Sequence, residues 1–160
     1  ICKLSNEDIT IQVKKLDNKL RDLGVPEPIS FCYPTYHHCI RTMKLLGAIN
    51  RTRSFEYARS GCEKTSTFSS FGNGGSGSPF NLIWDNPMNI NCLGIFGSSY
   101  QYDNFAKDLD KIGKDECGVF CFHRFDMKDA TSVPKSCLAQ VVNKLFESNC
   151  NVVSMKDIHA

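Results

Sequence analysis

Apolar positions along this chain recur at steps of three and four in several separate runs, and each run predicts a helix. Ile9, Val13, Leu16, Leu20 and Leu23 form the first, opened by Ser5 with Asp8 three residues on as a capping box and stopped by Gly24 and Pro26. Its narrow stripe suits a helix that lies across a bundle or pairs with another helix, but over so few heptads an ordinary amphipathic helix packed on its own domain is the preferred reading. Cys32, Tyr36, Cys39, Ile40, Met43 and Leu46 trace a second helix that ends at Gly47, and Phe55, Ala58 and Cys62 a short third. Tyr100, Tyr102 and Phe105 cluster ahead of a helix with Phe105, Leu109 and Ile112 on one face, Asp103 as cap and Gly113 as stop.

The densest apolar stretch lies between Asp115 and Cys150. Cys117 and Cys121 stand four apart, with Phe120 and Phe125 on the same stripe, which reads as a helix with both sulfurs on a buried face. Ser132 and Pro134 then start another, with Leu138, Val141, Val142 and Leu145 at helical spacing and Cys137 and Cys150 near its ends. Between these runs, residues 65–79 are rich in glycine and serine and read as a flexible loop, and Phe80 to Trp84 as a short extended segment. The tail from Asn151 to Ala160 has little core pattern. The expected fold is therefore all-α: an irregular helical bundle with long loops, one domain over residues 1–160, stapled by disulfides.

The staples follow from cysteine usage. Nine cysteines in 160 residues, dispersed along the chain at Cys2, Cys32, Cys39, Cys62, Cys92, Cys117, Cys121, Cys137 and Cys150, point to a secreted protein or the extracellular side of a cell surface. Cys32 and Cys39 are two helical turns apart, about 10 Å of rise, so within one helix each needs a different partner. The odd count leaves one cysteine for a free thiol or for a homo- or heterodimer bond. Asn50-Arg51-Thr52 is a glycosylation sequon and agrees with secretion. No apolar run reaches the roughly 20 residues of a membrane span.

Charge and motifs narrow the function. A net charge of +2 with scattered basic residues gives no footprint for nucleic acid. Cys117, Cys121 and His123 form a C-x3-C-x-H cluster, but zinc pairs favour other spacings and need a second pair, so disulfides are preferred to a metal. His37 and His38 beside Cys39 invite a nucleophile reading, yet neighbours on a helix point apart. Gly72, Gly74 and Gly77 match a dinucleotide fingerprint without its strand and helix. No catalytic or calcium motif is present, and no cofactor is expected.

Asp115-Glu116-Cys117-Gly118-Val119-Phe120-Cys121, followed by Val133-Pro134-Lys135-Ser136-Cys137-Leu138 and a helix closing at Cys150, resembles the nematode secreted cysteine-rich helical domain of unknown function. That resemblance implies an extracellular helical domain with no established activity, and the glycine-serine loop and the odd cysteine depart from it.

The function expected is that of an extracellular recognition module, not an enzyme, with a protein or a surface glycan as partner. Phe80, Trp84 and Met88, in the longest loop, are its candidate contact residues. The alternative for Trp84 is a core plug against Phe80 and Leu82. Eleven phenylalanines keep open a carrier of a small apolar ligand, and a secreted hydrolase is the remaining reading.

Overall fold

A computed structural model describes residues 1–25, 30–34, 38–53, 55–61 and 75–158, the side chains of 49–53, 75–76 and 156 excepted. The chain divides into two compact units, Ile1–Ser60 with Asn86–Ile90, and Gly61–Asp85 with Asn91–Ala160. No helix among the described residues is long and apolar enough to cross a membrane.

In the first unit, helix α1 (Asn6–Asp22) starts where the sequence places it: the Ser5 hydroxyl accepts the Asp8 amide at 3.0 Å. The first half of its stripe, Ile9 and Val13, is buried, whereas Leu16 and Leu23 are exposed. Strand β1 (Ser30–Cys32) and strand β2 (Tyr57–Arg59) pair in parallel, Phe31 opposite Ala58, with helix α2 (Ile40–Arg53) as the crossover between them. A 3-10 turn at Pro87–Asn89 closes over this layer, and Ile90 adds to the edge of β2 through hydrogen bonds with Ala58 and Ser60. Ile9, Val13, Tyr33, Leu46, Phe55, Ala58 and Met88 form the core. The Tyr33 hydroxyl is kept hydrogen-bonded inside it by donating to the Met88 carbonyl at 2.8 Å.

The second unit is built around strand β5 (Cys92–Ile95), all four residues of which are buried. Strand β3 (Gly75–Ser76) flanks it antiparallel and strand β7 (Val119–Cys121) parallel, with a bulge between Cys92 and Gly94. Strands β4 (Phe80–Asn81) and β6 (Glu116–Cys117) form an antiparallel pair, and strands β8 (Arg124–Phe125) and β9 (Ser132–Val133) a parallel one. Helices α3 (Tyr102–Leu109) and α4 (Lys135–Glu147) cover an aromatic core. There Phe96 stacks on Phe122 at 4.0 Å, and Phe105 meets Phe120 edge-on at 4.8 Å. Pro134 has no side-chain donor or acceptor to cap α4, so Asp126, at a left-handed φ of 56°, reaches across to accept the Lys135 amide at 3.0 Å.

These strands overturn the all-α expectation. The stretch from Cys117 to Cys121 is β6 and β7, not a helix, because a spacing of four is even and puts two side chains on one face of a strand as well as of a helix. Val119, Phe120 and Phe122 are strand-forming types, and Gly118 is needed there: a methyl group on it would stand 2.6 Å from Ile112 Cδ1 and 2.8 Å from Leu93 Cδ2. Cys32 likewise ends β1, and α2 begins eight residues later than the pattern placed it. Where the third helix is expected, before Cys62, residues Tyr57–Arg59 form β2, and residues 75–76 of the expected glycine-serine loop form β3. Cys62 itself, residues 65–74 with Gly72 and Gly74, and Tyr36 and His37 lie outside the described residues.

The disulfide staples are overturned with the fold class: no disulfide joins any two of the eight described cysteines. Cys92 and Cys137 instead fill core positions as small apolar side chains.

Gly94 decides how closely β5 and the segment before α3 can approach, since a methyl group there would fall on the Tyr100 hydroxyl. Gly94→Ala is expected to cost about 1–3 kcal/mol through overpacking. Gly47→Ala, inside α2 and with Met88 Cγ 3.8 Å from the new carbon, is expected to be neutral or to stabilise by about 0.5–1 kcal/mol. Urea melts of both variants check the pair, and a Gly94→Ala curve that overlays the wild type would refute the close approach.

Candidate functional site

Two places in the molecule hold side chains in arrangements that packing alone does not explain. The first is the turn that follows β4. The Asn81 side-chain oxygen accepts the amides of Ile83 at 3.0 Å and Trp84 at 3.1 Å, while Asp85 accepts the Asn81 amide at 2.7 Å. The Leu82 amide donates to the carbonyl of Asp115, itself at a left-handed φ of 62°. Five hydrogen bonds, counting Asp85 N–H to the Asn81 carbonyl at 3.1 Å, thus fix a turn whose tip is apolar. Ile83 is 63% and Trp84 83% exposed. Of the three residues singled out as contacts, Trp84 alone faces solvent. Phe80 is buried opposite Cys117 and Met88 is buried in the core of the first unit, so the core-plug role belongs to these two.

The second place is the start of α2. Cys39 stands directly before the helix, and its carbonyl accepts the Met43 amide at 3.0 Å, the first bond of the helical ladder. Thr42, fully buried, accepts the Cys39 amide at 2.9 Å, and its hydroxyl lies 2.8 Å from the Cys39 carbonyl and 3.6 Å from the Cys39 sulfur. The pair works as a capping box in which a cysteine takes the place of serine. The thiols of Cys2 and Cys39 are near enough to influence each other's titration.

Arg41 ties the backbone around Cys2 to the same helix start. Its guanidinium donates to the Cys2 carbonyl at 2.8 Å, the Leu4 carbonyl at 2.7 Å and the Asn6 side chain at 2.9 Å, tying the segment before α1 to the first turn of α2.

Electrostatics separates the two sulfurs. The Thr42 amide, then its hydroxyl, then the Cys2 thiol and the Arg41 amide favour the Cys39 thiolate over the opposing effect of burial, and bring its pKa down from 9.0 to about 7. Burial, then the neighbouring Cys39, raise that of Cys2. Tyr33, against the same pair, has its phenol pushed up by burial and by the nearby Cys39 and Cys2 charges.

The other sequence candidates fall elsewhere. Among the described residues no group of three histidine, cysteine or acidic side chains is placed to hold a metal, Cys117, Cys121 and His123 included. Burial pushes the Cys117 thiol up to about 11. Asn50 lies in the last turn of α2, its side chain outside those described. His38 packs its ring on Tyr33 at 5.1 Å. Of the nine described phenylalanines, Phe31, Phe55, Phe80, Phe96, Phe105, Phe120, Phe122 and Phe125 are buried or half-buried, and Phe146 is exposed on α4. Cys32 lies on β1 within 2.8 Å of Arg59, and Cys150 packs at the edge of the aromatic core.

The position of Cys39 as the cap of α2 is not legible from spacing, because a helix running from Cys32 onward puts Cys39 in its interior. Pro34 was the available signal, since a proline two residues past Cys32 fits the first turn of a helix or a loop better than a helix interior.

No known protein family matches this chain, and no curated protein or solved structure matches it.

Because folding lowers the Cys39 pKa, its thiolate contacts stabilise the folded chain fully above about pH 9 and are lost as the pH falls through about 7. Alkylation of Cys39 is expected to titrate with a midpoint near 7, well below that of Cys117 near 11. Thr42→Val is expected to move the Cys39 midpoint upward and to cost about 1 kcal/mol as a lost cap. Iodoacetamide labelling across pH, read by peptide mass spectrometry, checks both. A Cys39 midpoint of an ordinary thiol would refute the cap geometry.

Proposed function

We propose that this chain is an extracellular protein-recognition module, secreted or displayed at a cell surface, and that it engages a protein partner through the Ile83–Trp84 turn. The observation that carries this reading is an indole 83% exposed at the tip of a turn whose backbone is already fixed. Tryptophan is among the residues that dominate binding energy at protein interfaces. Full burial of an aromatic side chain removes about 150–250 Å² from water. At about 25 cal/mol per Å² that is on the order of 4–6 kcal/mol before the costs of association. A turn held by Asn81, Asp85 and Asp115 needs little further ordering when it binds, so less of that gain is lost to entropy. The Asn50 sequon supports the extracellular setting, as does the resemblance of the Asp115–Cys150 stretch to a secreted nematode domain.

The module binds and does not catalyse. The test is surface plasmon resonance of the purified chain against a panel of receptor and matrix-protein ectodomains, with a glycan array in parallel. The expected result is a protein partner whose affinity falls by about 30-fold or more in Trp84→Ala, as for a hot spot worth about 2 kcal/mol, with an unchanged melting temperature. Binding that Trp84→Ala leaves intact, or a response on the glycan array alone, would overturn the proposal. A drop in melting temperature of the size seen for a buried aromatic would overturn it too.

A further inference from the structure

We propose that the exposed face of α4 pairs with the same face of a second copy of this chain, helix against helix in antiparallel sense, and forms a weak two-fold dimer. Leu138, Val142 and Phe146 stand four residues apart and so make one ridge along the helix. All three are exposed, Phe146 to 86%. A different face of α4, with Cys137 and Val141, is the one packed into the aromatic core. The ridge therefore adds nothing to the fold of its own unit, and contiguous apolar surface left in water marks a contact.

Two features of the ridge select the chain itself as its occupant. The first is charge. Lys135 and Glu147 stand at the two ends of α4, and the exposed polar and small positions between them, Ser136, Ala139, Gln140 and Asn143, carry none. Such a charge-depleted centre is what interface cores share. A two-fold axis at Val142 turns the second helix end for end, so the basic end of each copy lies beside the acidic end of the other, and the helix dipoles oppose in the same favourable sense. Lys135, with 77% of its side chain exposed, already pairs with Asp126 at 3.3 Å, whereas Glu147 has no ion-pair partner among the described residues. A parallel arrangement would bring like ends together.

The second feature is shape. Beside the ridge runs the row of Ala139 and Asn143, whose short side chains leave a groove for a ridge from another helix. Reversal about the axis sets Leu138 of one copy against Phe146 of the other at both ends, with Val142 against Val142 in the middle. Area then sets the strength. The 13 residues of α4 give a face about 20 Å long and about 10 Å across, well short of the roughly 800 Å² per partner of a standard interface. Standard interfaces bind from micromolar to picomolar, so this smaller one should have a Kd on the order of 10–100 µM.

The experiment is sedimentation velocity of the full chain over a concentration series, with reductant in excess so that no disulfide links two copies. The expected result is a monomer–dimer equilibrium in that range. Phe146→Asp should weaken the dimer at least tenfold and leave the melting curve unchanged, because the ring is already in water in the single chain. Val142→Lys and Val142→Glu give a reading that misfolding cannot imitate: each alone should be monomeric, since residue 142 faces itself across the axis, and an equimolar mixture should recover the dimer. Trp84→Ala should dimerise as the unmodified chain does. A chain that stays monomeric up to about 1 mM, a dimer that Phe146→Asp leaves intact or Trp84→Ala abolishes, or Val142 variants that fail to recover on mixing would overturn the proposal. Flotation of a monomeric chain with phosphatidylcholine vesicles would overturn it too, by giving the face to a lipid surface.

Discussion

Tyr100 lies with its hydroxyl against the backbone of Gly94 and donates it to the buried carboxylate of Asp108 at 2.9 Å, and much of the second unit depends on that placement. A phenol and a carboxylate taken out of water need partners, and here they supply each other, with the Lys111 ammonium as a further partner of Asp108. The hydrogen bond joins the entry of α3 to its last turn, and the ring packs edge-on against Phe96 at 5.1 Å. Phe96 follows β5 directly and stacks on Phe122 just beyond β7, so one close approach at a glycine sets where helix, strand and aromatic core meet. Only a residue without a side chain permits it.

Capping at a distance recurs in both units and gives each its character. In the second, Asp126 caps α4 from a separate loop because Pro134 cannot. In the first, a cysteine caps α2 while the arginine two residues on clamps the segment that carries a second cysteine. Helix starts leave backbone amides unsatisfied, and whatever meets them has its charge stabilised. Where the capping group is a thiol, a structural need becomes a chemical property: the contacts bring its pKa down from 9.0 to about 7.

From the sequence alone, the elements that carry their own local punctuation were determined. α1 is bounded by Ser5 and Gly24 and α4 by Pro134 and the Val141 stripe, by chemistry within a few residues of the backbone they control, whereas α3 keeps its expected face of Phe105 and Leu109 but is capped by Gln101, not Asp103, and ends at Leu109, short of Gly113. The mixed α/β architecture was decided only in three dimensions. Even spacing cannot tell a strand from a helix, strands of two to four residues give little pattern to read, and each exists because a partner far along the chain completes its hydrogen bonds, as Phe80 does for Cys117 and Ser30 for Tyr57. The cysteine count was plain in the sequence, but their fates were not, since burial, capping and contact depend on which segments meet. So it was with the three candidate contact residues: composition marked Phe80, Trp84 and Met88 alike, and only the fold turned two of them inward and left the indole in water.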